Sequence, residues 1–462
     1  MLDVKRINDT IAAISTAVAL GQGSIAIVRV SGPSAERIGR QVFSIPGTQR
    51  WESHRIIYGH VIDPTSRERI DEALLLIMKA PRSFTGEDVI EFHCHGGLIC
   101  VQRVLELVLS QGARRALPGE FSQRAVLNGR IDLTRAEAIS TLIGARSRRV
   151  TQLAMVSLTG AVYKEITRIK ERLLEQLAEL EAHLDFEEDL LPLDERIVKN
   201  NLESIYQDLI QLVMDSNRSA ILYRGLEVAL IGRPNVGKSS LLNLFSRREK
   251  AIVTDLPGTT RDLLESEIIV QGVPITLVDT AGIQFTGDIV EKLGIQRSRQ
   301  VMMSADAIIL VFDLTEGWTS AEEDLIREIP EGTILLIAGN KSDKCPLRHN
   351  TPVSKIFNQS WIFPVSARTG EGEDSILSEL LNRCGANENQ DIRLSLNSRQ
   401  RDLAKEAATF LNHTLITIER NLPIDFWTID LRQAIAILTE LTGENISEVT
   451  LDRIFSRFCI GK

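Results

Sequence analysis

The spacing of apolar residues changes three times along the chain, and each change predicts a different kind of structure. Up to about Leu117, short apolar runs at 24–30, 73–78 and 89–92 alternate with turn signals such as Gly32-Pro33. Short alternating runs between Gly and Pro pairs are typical of strands joined by turns. We therefore expect an N-terminal α+β domain.

From about Phe121 to Arg218 the apolar positions recur every three or four residues, which is the period of an amphipathic helix. We predict one long helix with a single buried face, whose role is to form the core of a helical bundle. The residues assigned to that face are Ile166, Ile169, Leu173, Leu177, Leu180 and Leu184.

The pattern changes again at Leu226, where continuous apolar runs separated by helical stretches begin at 228–231, 275–278, 307–312 and 334–338. Continuous runs are typical of strands buried on both faces of a parallel sheet, so this part predicts a doubly wound α/β domain. After about Cys384 the helical spacing returns. The simplest architecture is a helical domain made of two separated segments, with the α/β domain inserted between them.

The composition of the chain is that of a globular protein of the cytoplasm. The chain has 462 residues, 43% hydrophobic and 25% charged, with five cysteines and a net charge of −9. We see no membrane-spanning run and no signal peptide, and an odd, scattered set of cysteines fits a reducing cytoplasm. The negative charge argues against non-specific coating of nucleic acid. Arg146, Arg148 and Arg149 form either a local basic face or, as we favour, a solvated helix face.

The first chemical motif is GRPNVGKS at 232–239, directly after the predicted strand at 228–231. Strand, glycine-rich loop and helix in this order form a phosphate-binding loop, in which backbone amides surround the phosphates. Lys238 would contact the β- and γ-phosphate oxygens, and the Ser239 hydroxyl would bind Mg²⁺. The sequence thus predicts a nucleoside triphosphate site.

Three further motifs follow predicted strands in the same domain. Asp279-Thr280-Ala281-Gly282 can reach Mg²⁺ and the γ-phosphate, and Ser366-Ala367 is placed to contact the base. In Asn340-Lys341-Ser342-Asp343, the Asp343 carboxylate can accept from two N–H groups of guanine, which adenine does not offer. Together these motifs predict a GTPase and resemble the translation-factor-related class.

A switch segment, TDLPGTTRD, occupies 254–262, and Ile283 follows Gly282 where a Ras-type enzyme would carry its glutamine. Something else must then stabilise charge in the transition state. Asn235 and the carbonyls of 254–259 could hold a monovalent cation against the phosphates. Asn235 could instead only stabilise the turn. The residues predicted to bind GTP are Asn235, Val236, Gly237, Lys238, Ser239, Ser240, Thr254, Asp255, Leu256, Pro257, Gly258, Thr259, Thr260, Asp279, Thr280, Ala281, Gly282, Asn340, Lys341, Ser342, Asp343, Ser366, Ala367 and Arg368.

Motifs along the whole chain add a finer resemblance. They include SFTGED at 83–88, PGEF at 118–121, NGRIDL at 128–133 and the terminal CIGK at 459–462. With the G-domain motifs, this combination resembles the MnmE (TrmE) family of tRNA modification GTPases.

The resemblance implies four segments. Residues 1–118 would form a dimerisation and tetrahydrofolate-binding domain, 119–221 and 384–462 the two parts of a helical domain, and 222–383 a Ras-like G domain. It also implies a homodimer that acts with the flavoprotein MnmG in a heterotetramer. That assembly would add an aminomethyl or carboxymethylaminomethyl group to C5 of wobble uridine 34 of certain tRNAs. A tetrahydrofolate derivative would supply the carbon, and potassium would stimulate pairing of the G domains.

Family roles carry over residue by residue onto matching positions. The two catalytic residues would be Lys238 and Glu291, and Glu291 would orient the attacking water. Without the resemblance, Glu291 would be interpreted as an ordinary helix glutamate. The implied ligands are Ser239 and Thr260 for Mg²⁺, Asn235, Thr254, Leu256 and Thr259 for K⁺, and Arg29, Glu91, Arg130 and Lys462 for the folate.

Three alternatives stay open. Cys459 is either a catalytic thiol or a small core residue beside Phe455 and Phe458, and we favour the core role. His93-Cys94-His95 invites a zinc site, although it lacks a second spaced pair of ligands. The other function class is a ribosome-assembly GTPase, which would usually carry an RNA-binding domain or a second G domain. A scaffold with a decayed G domain conflicts with the intact motifs.

Overall fold

The computed structural model describes residues 9–18, 23–186, 192–247, 264–279, 301–345, 362–386 and 394–461. The chain divides into two compact units. The first consists of Met1–Ser140, Ser157–Leu202 and Thr409–Lys462, and the second of Thr141–Val156 and Glu203–Ala408. The four segments implied by the family resemblance, 1–118, 119–221, 222–383 and 384–462, stay a prediction.

The first unit contains a seven-stranded sheet in which most neighbours are antiparallel. Its spatial order is β3-β4-β5-β6-β2-β1-β7, with β7 parallel to β1. The strands are β1 (Ile11–Ile14), β2 (Ile25–Ser31), β3 (Phe43–Ser44), β4 (Arg55–Ile62), β5 (Arg69–Met78), β6 (Val89–His95) and β7 (Arg114–Arg115).

Alternation along β2 explains how this sheet presents polar side chains. Val28 and Val30 are fully buried in a core with Phe92 of β6. Because successive side chains of a strand point to opposite faces, Arg29 lies on the other face. The register places Arg29 directly opposite Glu91 of β6. The expected α+β domain is confirmed, and it carries an Arg–Glu pair on the face away from that core.

The first unit also contains helices, some of which belong to it only in part. They are α1 (Ala35–Val42), α2 (Leu98–Ser110), α3 (Glu120–Leu127), α4 (Leu133–Ile143), α5 (Arg148–Leu158), α6 (Ala161–Asp185), α7 (Glu195–Arg224), α11 (Ser398–Glu419), α12 (Ile424–Thr442) and α13 (Glu448–Phe455). The boundary between the units falls inside α4, α5, α7 and α11.

Helix α6 buries most of its predicted face, and α12 packs against it. Helix α6 precedes the α/β unit in the chain and α12 follows it, so an inserted α/β domain is confirmed. The prediction was wrong at Leu184, which is 40% exposed, whereas Leu173 is fully buried. The helix ends at Asp185, so Leu184 lies in its last turn, beyond the buried residues of this face.

The second unit contains a six-stranded sheet of order β13-β12-β11-β8-β10-β9. Neighbours from β13 to β10 are parallel, and β9 is an antiparallel edge strand that the sequence did not predict. The remaining elements are β8 (Leu226–Ile231), α8 (Lys238–Phe245), β9 (Leu264–Val270), β10 (Val273–Asp279), β11 (Ala307–Asp313), α9 (Ser320–Arg327), β12 (Ile334–Asn340), β13 (Ile362–Pro364) and α10 (Glu373–Arg383).

The central strands of this sheet are buried almost throughout, as their continuous apolar runs require. Since β8, β10, β11, β12 and β13 run parallel, their carboxyl ends meet at one edge, where ligands bind in open α/β sheets. Within the described ranges, no helix has the length and apolarity needed to cross a membrane.

Burial along α6 yields a matched pair of substitutions. Leu173→Ala should lower the free energy of unfolding by about 2–5 kcal/mol, because it leaves a cavity in a packed core. Leu184→Ala should change it by less than about 1 kcal/mol, since Leu184 is already 40% exposed. Urea titration followed by helical circular dichroism measures both. Equal effects of the two substitutions would contradict the burial pattern.

Candidate nucleotide-binding site

The phosphate loop runs from the end of β8 to the start of α8, as predicted. Gly232 has φ +148° and Gly237 has φ +97°. A Cβ at Gly232 would lie 2.2 Å from the Val311 carbonyl oxygen, and one at Gly237 would lie 2.3 Å from Asn340 Nδ2. Both positions therefore need glycine, because the loop passes in direct contact with the ends of β11 and β12.

Lys238 is the first residue of α8 and only 5% exposed. Its Nζ donates to the carbonyl oxygens of Gly232, at 2.5 Å, and Arg233, at 2.8 Å. Burial lowers the pKa of Lys238, partly opposed by the negative charge of Asp279. The ammonium group thus lies inside the loop, where the negative charge of a phosphate would favour its protonated form.

Ser239 and Asp279 form the second part of the site. The Ser239 hydroxyl donates to Asp279 Oδ2 at 2.7 Å, and Asp279 is fully buried at the end of β10. A hydroxyl beside a carboxylate is a set of hard oxygen ligands of the kind that Mg²⁺ prefers. The structure brings these two predicted residues together.

Asn340, at the end of β12, joins two segments of the site. Its Nδ2 donates to the Val236 carbonyl oxygen at 2.8 Å, and its Oδ1 accepts from the Ala367 amide at 3.1 Å. The side chain is nearly fully buried. Asn340 therefore ties the phosphate loop to the segment after β13, so that one amide group holds both in register.

Asp343 supplies the carboxylate expected to recognise the base. Ser366 Oγ donates to Asp343 Oδ1 at 2.8 Å, and Arg368, 74% exposed, lies 2.9 Å from Oδ2. Oδ2 is buried and has no partner of hydrogen-bond geometry. The Asp343 carboxylate therefore retains the capacity to accept from a base, with the exposed Arg368 at its side.

Two acidic residues at this edge were missed by the sequence analysis. Asp313 ends β11, is 1% exposed and pairs with Lys341. Glu322 of α9 is fully buried, pairs with Arg233 of the phosphate loop and accepts from the Thr319 amide at 2.9 Å. The position of Asp313 after a continuous apolar strand was the available signal, whereas Glu322 resembles any first-turn helix glutamate.

Several predicted residues lie outside the described part of the chain. This applies to the switch segment with its Mg²⁺ and K⁺ ligands, to the residues after Asp279, to the catalytic candidate and to the last residue of the chain: Thr254, Asp255, Leu256, Pro257, Gly258, Thr259, Thr260, Thr280, Ala281, Gly282, Glu291 and Lys462. Asn235, the remaining predicted K⁺ ligand, is described and adopts φ 64° in the phosphate loop.

A second polar site lies on the sheet of the first unit. Arg29 Nε lies 2.7 Å from Glu91 Oε1, and Arg29 Nη1 lies 3.5 Å from the Gly461 carbonyl oxygen. The guanidinium also lies 5.6 Å from the ring centres of Phe84 and Phe121. The C-terminal segment thus reaches the predicted Arg29–Glu91 pair, and two aromatic rings border it.

Arg130 lines a cleft of about 610 Å³ together with Ser83 and Phe84. Its Nε lies 3.3 Å from the Ser83 carbonyl oxygen. Phe84 connects the two places, since it lines the cleft and also contacts Arg29. Of the predicted folate residues that the structure describes, Arg29 and Glu91 are in direct contact, and Arg130 is connected to them through Phe84.

The structure also bears on the alternatives left open for Cys459, His93 and His95. Cys459 is exposed, so the favoured role as a core residue was wrong. His93 Nε2 lies 3.4 Å from Glu91 and His95 Nδ1 lies 2.7 Å from Asp71. In the described ranges, no group of three ligands suits a metal ion.

Comparison with known proteins assigns the chain to a family. The family model for the MnmE helical domain matches residues 133–459. The model described as GTP-binding protein TrmE N-terminus matches residues 10–130. A tRNA modification GTPase MnmE of Prochlorococcus marinus (strain MIT 9303) is 59% identical over 455 residues, 98% of each chain. This chain belongs to the MnmE family of tRNA modification GTPases.

A second MnmE relative, from Synechococcus sp. (strain CC9311), is 58% identical over 98% of both chains. As a member of the MnmE family, the chain is a GTP-hydrolysing enzyme that acts in tRNA modification. The matches to the TrmE N-terminal and MnmE helical domain models, with the largely parallel α/β sheet of the second unit, confirm the predicted fold class. The full-length match also favours this function over the ribosome-assembly alternative.

Solved structures of GTPases match part of this chain. The G domain of the T. maritima FeoB iron transporter is 28% identical and covers 36% of this chain and 99% of its own, with a TM-score of 0.26. Era of Aquifex aeolicus bound to GDP·AlF4⁻ is 25% identical and covers 40% and 66%, with a TM-score of 0.29. The family assignment rests on the sequence relatives.

The geometry at Asp343 predicts a change of base preference. In Asp343→Asn, one acceptor oxygen becomes an amide donor, which opposes the N–H groups of guanine and matches the 2-carbonyl of xanthine. We expect GTP affinity to fall at least about 100-fold, because a polar base edge is left mispaired, and XTP affinity to rise. Displacement of a fluorescent nucleotide measures both constants. A variant that still prefers GTP to XTP would refute this role.

Proposed function

We propose that this GTPase acts in the cytoplasm with the flavoprotein MnmG to add an aminomethyl or carboxymethylaminomethyl group to C5 of uridine 34 in certain tRNAs. A tetrahydrofolate derivative carries the one-carbon unit, and GTP hydrolysis in paired G domains drives the cycle. Membership of the MnmE family supports the tRNA chemistry. The observation that carries the finer proposal is the Arg29–Glu91 pair beside the cleft of Arg130.

The residues around that pair fit a folate. A carboxylate such as Glu91, only 7% exposed, suits the N–H edge of a pterin, and guanidinium groups suit the carboxylates of the tail. Phe84 and Phe121 offer aromatic faces to a flat ring. The cleft of about 610 Å³ has the size of small-molecule sites. Lys462 completes the proposed set.

When bound, the folate supplies the one-carbon unit; the chain's own residues hold and orient it. Arg29 is fixed by Glu91 on one side and by the Gly461 carbonyl oxygen on another. Gly461 has φ +94°, and a Cβ there would lie 2.5 Å from the Ile14 carbonyl oxygen. The C-terminal segment therefore packs closely against β1 at Gly461.

In the G domain, we propose that the predicted GTP residues surround the nucleotide. Ser239 and Thr260 bind Mg²⁺, and the described donor set of Ser239 and Asp279 fits such an ion. Lys238 stabilises charge on the phosphates, and Glu291 orients the attacking water. Asn235, Thr254, Leu256 and Thr259 bind K⁺ at the phosphates, which would supply the charge that an arginine finger supplies elsewhere.

An exposed apolar face supports a homodimer formed by the N-terminal domain. Ile56 and Tyr58 of β4 point to the same side of the sheet, and Tyr58 is directly opposite Leu74 of β5. These side chains are 63%, 42% and 43% exposed, respectively. Contiguous apolar surface of this kind marks protein interfaces. The heterotetramer with MnmG rests on membership of the MnmE family.

Wobble nucleosides test the proposed tRNA chemistry. Deleting the gene in its own cell should remove the C5-aminomethyl-type uridine modifications at position 34, and the wild-type gene should restore them. Mass spectrometry of digested tRNA measures these nucleosides. An unchanged nucleoside profile after deletion would reject the proposal.

The same strain separates the folate site from the GTPase. Complementation with Glu91→Gln should leave the nucleosides unmodified, because the neutral amide weakens the acceptor for a pterin and the ion pair with Arg29. The matched control Glu106→Gln, on an exposed surface of α2, should restore modification. GTP hydrolysis by purified Glu91→Gln should equal that of wild type. If the strain complemented with Glu91→Gln showed full modification of its wobble uridines, the folate assignment would be rejected.

Potassium dependence tests the proposed cation. We expect the turnover number for GTP to be at least about tenfold higher in KCl than in NaCl of equal ionic strength, since one well-placed charge contributes several kcal/mol to a phosphoryl transition state. Asn235→Ala should abolish the difference. Steady-state phosphate release measures it, and equal rates in the two salts would end the proposal.

A further inference from the structure

Asp313 is a buried carboxylate that the GTPase motifs do not include. It ends β11 directly beside Asn340 in the register of β11 and β12, and it is 1% exposed. Its Oδ1 accepts from the Thr315 amide at 2.8 Å and the Thr315 hydroxyl at 2.6 Å. Its Oδ2 pairs with Lys341 Nζ. Each oxygen of this carboxylate therefore has a defined partner.

Lys341 lies between the two residues that define the base site. Asn340 precedes it and binds the phosphate loop, while Asp343 follows two positions later and carries the carboxylate for the base. Lys341 itself adopts φ +66°, a left-handed conformation that is unfavourable for a lysine. Such a strained conformation persists only where surrounding contacts hold it.

The ion pair with Asp313 is a contact that can hold this turn. Burial alone would raise the pKa of Asp313, but the hydrogen bonds from Lys341 and Thr315 outweigh it, and the pKa lies below its ordinary value. The carboxylate is thus charged at neutral pH, and its bond to Lys341 is a charge-assisted one, among the stronger hydrogen bonds in proteins.

We propose that Asp313 is a positioning residue for guanine nucleotides, which acts by holding Lys341 and hence the turn from Asn340 to Asp343. Asp313 would not contact the nucleotide itself. Its loss frees the Lys341 ammonium group and allows the strained turn to relax. The carboxylate of Asp343 then spends less time in the orientation that accepts from the base.

This role predicts a specific kinetic signature for Asp313→Asn, a substitution that keeps the shape and removes the charge. We expect KM for GTP and Kd for GDP to rise about tenfold, the usual effect of losing one charge-assisted hydrogen bond. The turnover number should stay within about twofold of wild type, because the contact of Asp343 with the base is weakened equally in the ground and transition states. Phosphate release and nucleotide displacement measure these constants.

A double-mutant cycle distinguishes positioning from general support of the fold. Asp313→Asn should have no further effect on KM in a Lys341→Met background, since the partner is already absent. Equal effects in both backgrounds would overturn the proposal. So would a turnover number that falls while KM stays constant, as expected if part of the protein is merely misfolded.

Two further variants keep the test decisive. Asp324→Asn, the same chemical change at a 68% exposed residue of α9, should leave KM and turnover unchanged. Asp313→Glu keeps the charge and gives a second variant in case Asp313→Asn does not fold. It should raise KM less than Asp313→Asn does. Wild-type KM in both Asp313 variants would overturn the proposal.

Discussion

The G domain depends on a close approach between the phosphate loop and the ends of two neighbouring strands. Gly232 and Gly237 leave no room for a Cβ against Val311 and Asn340, respectively. That contact lets Asn340 Nδ2 reach the Val236 carbonyl oxygen and fix the curvature of the loop. A bulkier residue at either glycine would move the loop off the sheet edge, and the backbone amides would no longer converge on the phosphates.

The fold of this domain could be predicted from the sequence where strands are buried on both faces, because such strands consist of uninterrupted apolar residues. Strands β8, β10, β11 and β12 were predicted on that basis, and none extends more than two residues beyond its predicted run at either end. Strand β9, with the sequence LESEIIV, was missed because an edge strand pairs on one side only and tolerates charge. Leu184 was misassigned for a related reason, since helical spacing does not reveal which turn lies beyond the packed core.

The candidate site was predictable only where its residues form a contiguous motif. Lys238, Ser239 and Asp343 stand in such motifs, and their order along the chain revealed them. The pair of Asp313 and Lys341 joins residues 28 positions apart, and Arg29 reaches Glu91 across 62 positions. Those contacts depend on which strands lie side by side, and the apolar pattern of one strand does not identify its neighbour. Buried ion pairs of this kind require the structure.

In the nucleotide site and in the proposed folate site, the protein's own acceptors already hold a cationic side chain in place without a ligand. Lys238 is fixed by two loop carbonyl oxygens, and Arg29 by Glu91 and the Gly461 carbonyl oxygen. A long cationic side chain loses about 2 kcal/mol of conformational entropy when it is ordered. Because the protein's own acceptors have already ordered these side chains, an anionic ligand does not bear that cost on binding. The acceptors are mostly neutral carbonyl groups, which a phosphate or carboxylate can outcompete. Glu91 is the exception, since its charge remains beside Arg29 and favours a ligand that also offers N–H donors.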